Sequence, residues 1–396
     1  MAIQSIKLKP GINREGTRYT TEGGYYDGDK IRFRQGTPEK IGGWTQISTS
    51  TFEGVCRSLH NWVTLGGQNL IGVGTHLKFY ISNVGNYNDV TPIRATVSLS
   101  NPFTTVSGSA VITVLDSNGG YQDGDYVTFS NASAVGGLTI DGEFVVSLSV
   151  TTAAGTFTIT AASNASSSAT GGGTVSAAYQ INVGNPFAVP ITGWGAATWG
   201  QGTWGVGESS TTAIRFWSQS NFGEDLVFGN DGGSIYYWDA TDGVSTRAVE
   251  LSTLSGASDV PVVQNLILVS DISRFVFCFG TNAIGSSSID PTLLRWSDQE
   301  DAANWTPSAT NQAGSLRLSR GTKIVAASQA RQEILVWTDS SLYSLQYVGA
   351  PAVWAATLVG ENISISSQNA VSYANGVAYW MGKDKFYMYD GRTQPL

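Results

Sequence analysis

Three acids, Asp298, Glu300 and Asp301, stand between Trp296 and Trp305. Two carboxylates held a few ångströms apart are what glycoside hydrolysis needs, one to protonate the leaving oxygen and one to attack or to activate water. The same spacing suits a turn, where acids cap backbone N–H groups or face water, and the two flanking tryptophans favour the turn. Asp27-Gly28-Asp29 and Asp123-Gly124-Asp125 each bring two carboxylates together, but neither has a further acidic ligand close by in sequence, as a calcium loop requires. An Asp-Gly step is equally a hairpin turn. The two histidines, His60 and His76, fall in expected strands and have no Cys, Asp or Glu partner at metal-ligand spacing. Phosphate-cradling loops, nucleophile elbows and zinc spacings are absent. The sequence therefore assigns no catalytic residue, no metal and no cofactor.

Other residues suit contact rather than chemistry. Trp194, Trp199 and Trp204 are each followed by glycine at a spacing of five, which fits neither a helix nor a regular strand. Two readings follow: pegs packed on a neighbouring element, or an exposed ladder that meets a sugar or a second subunit. Arg14, Arg18, Arg32 and Arg34 lie in a mixed-charge segment that either grips an acidic partner or is a solvated arm. The formal net charge of −8 argues against nucleic-acid binding through phosphate contacts. Cys56 and Cys278 sit in apolar runs and read as buried free thiols. The opening residues lack the apolar core of a signal peptide, and no apolar run reaches the length of a membrane span.

The elements that must carry these residues are strands. Aromatic and β-branched runs alternate with Gly, Asp and Asn turns, and no long stretch has a helical period. The chain is all-β. Hairpin-like units recur at 57–80, 225–238, 275–296, 333–345 and 376–390, each expected to need positive φ in its turn. Such irregular repeats are the sequence form of a β-propeller. Residues 96–180 interrupt them with a Ser/Thr/Ala/Val/Gly-rich composition, expected to be a small β-sandwich or barrel, with 163–173 a flexible loop. The expected organisation is an N-terminal arm and first strands over 1–45, a first propeller part over 46–95, the inserted domain over 96–180, and the remaining blades over 181–396.

Several segments also resemble known proteins. Asn230-Asp231-Gly232-Gly233-Ser234 is faintly similar to the Asp-box hairpin of sialidase-type propellers, a structural turn even there. The Ile3-to-Asn13 arm, the Asp27-Gly28-Asp29 strand, Gly42-Gly43-Trp44, the Trp194–Trp204 ladder and Arg295-Trp296-Ser297-Asp298 to Trp305 resemble the nozzle proteins of short-tailed phages, over 1–94 and 190–396. The resemblance implies a non-enzymatic virion protein, assembled in the host cytoplasm as a hexameric ring below the portal and adaptor. It further implies a channel for double-stranded DNA that passes without specific binding, and attachment of tail fibres or spikes. The alternatives are a carbohydrate-binding tail propeller using the tryptophan ladder, or a propeller glycoside hydrolase using the 298–301 acids. Members of that family run longer, so continuation beyond Leu396 is expected.

Overall fold

A computed structural model describes residues 8–20, 23–43, 45–46, 48–118, 120–148, 154–184, 214–271 and 273–396. The chain divides into two compact units, Met1–Ser50 and Thr51–Leu396. In the first, Ile31–Arg34 pairs antiparallel with Thr37–Lys40. The two-residue turn between them has Gln35 and Gly36 at φ 50° and 80°, the primed geometry that matches strand twist.

The second unit is a succession of antiparallel four-stranded sheets. The first sheet runs Cys56–Val63, Asn69–Thr75, Phe79–Asn83, Asn86–Asp89. The second is Trp217–Phe222, Asp225–Asn230, Tyr236–Trp238, Val249–Glu250, and the third Gln264–Val269, Val276–Asn282, Ile289–Trp296, Gly314–Arg317. The fourth is Ile324–Gln329, Ile334–Thr338, Ser341–Gly349, Val353–Glu361, and the fifth Val371–Ala374, Val377–Met381, Phe386–Tyr389, Thr393–Pro395. In all five, strand order follows chain order, each strand pairing antiparallel with the one before it. Among the described residues the only helices are the single 3-10 turns Ala240–Asp242 and Leu251–Thr253. The fold is all-β.

The leading strand of each sheet packs on that of the next, so the five form a row in chain order. A separate apolar cluster fills each gap. Trp62, Phe79, Trp217 and Phe228 lie between the first and second sheets, and Val227, Ile267, Cys278 and Trp305 between the second and third. Phe277, Trp296, Val336 and Trp354 join the third to the fourth, and Leu335, Trp337, Ala378 and Trp380 the fourth to the fifth. Close approach of backbone to indole requires glycine at two points. A Cβ on Gly74 would stand 2.5 Å from the Trp217 ring, and one on Gly314 2.5 Å from that of Trp296.

Between the first and second sheets the chain builds a sandwich. One sheet has the order Gly142–Val145, Tyr126–Ser130, Thr174–Gln180, Ile93–Ser100; the other Thr156–Thr160, Val111–Leu115, Phe103–Thr105, Ala169–Gly171. Its inward faces alternate as two-layer packing requires, and Phe103, Ile112, Val127, Phe129, Phe157 and Val175 form its own core.

Four sequence expectations need correction. The 163–173 tract is not simply a loop: Ala169–Gly171 pairs with Phe103–Thr105, and the Thr105 hydroxyl donates to the Ser167 carbonyl at 3.0 Å. Small side chains there permit close pairing rather than freedom. His76 lies past the end of its strand, and Cys56 is half-buried rather than buried. Positive φ is also not general to the repeat turns. At Thr75 and Thr338, both wholly buried, the hydroxyl closes the turn instead. Thr75 Oγ1 accepts from the Leu77 and Lys78 amides at 3.1 and 2.9 Å. Thr338 Oγ1 accepts from the Ser340 and Ser341 amides at 3.4 and 2.9 Å.

Candidate functional site

The Arg295-to-Trp305 segment leaves the third strand of the third sheet and turns back over the gap to the second. Trp296 is 3% exposed, packs tilted against Phe277 and donates its indole N–H to the Gln312 carbonyl at 2.8 Å. Ser297 Oγ accepts from the Val276 amide at 3.0 Å and donates to the Asp298 carbonyl at 2.9 Å. Asp298 Oδ1 accepts from the amides of Gln299 and Gln312, both at 2.8 Å. Asp301 Oδ1 accepts from the Ala303 amide at 2.9 Å. Trp305 is 1% exposed and donates to the Ala302 carbonyl at 2.8 Å. Glu300 alone is exposed with no side-chain partner, at the tip of the turn with φ 58°. Two of the three acids that invited a hydrolytic reading, Asp298 and Asp301, thus hold the turn, and the tryptophans pin it to the core.

The other Asp-containing turns are arranged alike. Asp27 pairs with Arg14 and accepts from the Gly28 amide, and these bonds, the arginine's first, hold its carboxyl below the usual range. Asp123 accepts from the Leu148 amide at 2.8 Å. Asp125, 6% exposed, pairs with Arg94 at 2.7 Å and accepts from the Gln122 amide. Asp231 takes the Phe216 amide at 2.5 Å, although burial pushes its carboxyl upward. Among the described residues no three His, Cys, Asp or Glu side chains gather as a metal would need. Burial lowers both histidines; His60 faces Asn221 at 3.3 Å and His76 Nδ1 accepts from the Val55 amide at 2.9 Å.

Three of the four basic candidates of the first unit are also engaged. Arg32 bonds Glu39 at 2.5 Å across the hairpin, and Arg14 and Arg18 each lie 5.9 Å from the Tyr26 ring. Arg34 is exposed. Trp194, Trp199 and Trp204 lie outside the described residues, as does Trp44.

Two groups escaped the sequence reading. Lys78, its side chain 7% exposed, meets Glu143 of the sandwich, Asp89 at 3.3 Å and Glu53 at 3.6 Å, with its ammonium 4.9 Å from the Tyr126 ring. Arg247, in the connection that leads to the fourth strand of the second sheet, binds the same Asp89 at 3.0 Å. Burial disfavours the Lys78 ammonium, but Glu143 and then Asp89 outweigh it and its pKa is raised. The second group is Arg295, buried inside the most conspicuous motif of the chain. Neither has a local signal, because their partners lie far away in sequence.

No family model matches the sequence, and no curated protein matches it. Among solved structures, the chain is similar to a phage phi92 endosialidase, with 13% identity and a TM-score of 0.25 over 87% of this chain and 55% of that one. It spans about half that protein's length. It is also similar to BBS1N solved in complex with ARL6DN (8%, TM-score 0.31, 88% and 83% of the two chains). A third is the α-L-arabinofuranosidase arb93a of Fusarium graminearum (9%, TM-score 0.27, 83% and 88%). Likenesses this distant leave function to be read from the residues themselves. No helix among the described residues is long and apolar enough to cross a membrane.

Proposed function

We propose that this chain is a structural subunit of a short-tailed phage's tail nozzle, a non-enzymatic protein whose copies join in a ring below the portal and adaptor. The observation that carries the reading is an apolar face left bare at each end of the row of sheets. On the first sheet Leu59, Val63 and Ile71 are 68%, 57% and 40% exposed, on the side away from the second sheet. On the fifth, Tyr379, Met381 and Phe386 are 40%, 46% and 59% exposed, on the side away from the fourth. Apolar side chains exposed together on one face mark an interaction site. Two different faces at opposite ends of a row make a heterologous contact, and such contacts generate rings when the rotation closes. The fifth sheet of one copy would lie on the first sheet of the next. The net charge of −8 suits a wall past which DNA slides, since phosphates find few cations to hold them.

Negative-stain imaging and sedimentation velocity of the chain, alone and with its portal–adaptor complex, test this. Six-fold rings with a central hole are expected, and Leu59→Lys with Phe386→Lys should disperse them while leaving the melting temperature unchanged. Single particles in both samples would overturn the nozzle reading.

A further inference from the structure

The third sheet buries an arginine with no anion beside it. Arg295, on the Ile289–Trp296 strand, is 1% exposed. One terminal nitrogen donates to the Asn282 carbonyl at 3.3 Å and the other to the Asp259 carbonyl at 2.5 Å. Its buried Nε has no hydrogen-bond partner. The Trp305 ring lies 5.9 Å from the guanidinium carbon. The ion pairs among the described residues do not include Arg295. The exposed Asp259 carboxylate is bound by the Thr306 hydroxyl at 2.6 Å and acts on Arg295 only through longer-range attraction. A charge withdrawn from water without a paired anion is costly, and a guanidinium cannot lose its proton to escape that cost. Two carbonyl dipoles recover only part of it, and two of the four terminal N–H groups remain to be used.

The same side chain lines a cavity of about 330 Å³ with Ser252, Ser258, Val260, Asn282, Ile284 and Ser286. The volume is at the lower end of ligand sites and suits one ring-sized group. Hydroxyl and apolar side chains share the lining, which matches the polar edge and C–H face of a sugar. The charge balance restricts the ligand further. One guanidinium neutralises one negative charge, and the Asp259 carboxylate at the rim repels a dianion such as phosphate. We infer that this cavity binds a carboxylate-bearing monosaccharide unit, whose carboxylate is the counter-ion that the fold does not supply to Arg295. The site stands independently of ring assembly, so either reading can fail alone.

The test is calorimetric titration of the full chain with glucuronate, with glucose as the neutral counterpart and with inorganic phosphate. Glucuronate should bind at least about ten-fold more tightly than glucose, because the sugar without its carboxylate leaves the guanidinium unpaired. Phosphate should bind more weakly than glucuronate. Ile284→Glu, a change at an exposed rim position, should weaken glucuronate by at least about ten-fold through like-charge repulsion, with melting unchanged. Arg295→Gln should abolish the preference for glucuronate over glucose wherever the variant melts cooperatively. Absence of glucuronate binding, equal binding of both sugars, tighter binding of phosphate, or an unaltered affinity in folded Ile284→Glu would each overturn the assignment.

Discussion

Asp298 and Asp301 spend their carboxylates on the amides of Gln299, Gln312 and Ala303. The Gln299 and Ala303 bonds close the turn on itself and the Gln312 bond ties it to the segment entering the Gly314–Arg317 strand, so the acids act as turn caps. Their removal is accordingly a matter of stability. Asp298→Ala, which strands two amide donors, should lower unfolding free energy by about 1–3 kcal/mol, measured by urea denaturation. A residue serving only in catalysis would leave the urea midpoint unchanged. The turn chemistry here was legible from residue types, since an Asp in a short turn habitually binds backbone N–H groups. The guanidinium of Arg295 was not, because nothing local distinguishes a buried arginine from an exposed one.

Elements show a device repeated with different atoms. After the second strands of the first and fourth sheets, a buried threonine hydroxyl gathers the turn amides. After that of the second sheet, Asn230 heads the turn and its carbonyl accepts from the Gly233 amide at 2.9 Å. The sequence shows the hairpins but hides this equivalence, since the repeats share a geometry and not a residue. The sandwich is tied to the first sheet by a comparable polar device. Lys78 gathers three carboxylates, from two strands and the segment that precedes the first sheet, and Arg247 braces the shared Asp89. Its raised pKa means that this contribution is fully present below the ordinary lysine value of 10.5 and is lost only as pH rises through the higher folded one. Lys78→Met keeps the stem but leaves the acids facing one another. It should cost about 3–5 kcal/mol, read as a fall in the urea midpoint at neutral pH.

At the scale of the molecule, the five-sheet row and the sandwich have separate cores. The bare faces of the row lie on the first and fifth sheets, and neither includes a residue of the sandwich. Deleting residues 96–180 with a short linker should therefore leave ring assembly intact on imaging, although Lys78 then loses Glu143 and the melting temperature falls. Loss of rings from a folded deletion variant would make the sandwich part of the interface.

Alternation of aromatic and polar residues, punctuated by Gly, Asp and Asn, determined that this chain is all-β and placed its hairpins, because strand period and turn chemistry are local properties. The change of composition after residue 95 likewise marked a second core. Tertiary structure alone decided which faces are buried. A strand exposes a row of side chains to whichever sheet comes next, so one large aromatic residue of the fifth sheet, Trp380, is core and another, Phe386, is bare. It alone also decided which charges meet, since Lys78 and Glu143 are brought together, and Arg295 is left without an anion, by the packing of segments far apart in the chain.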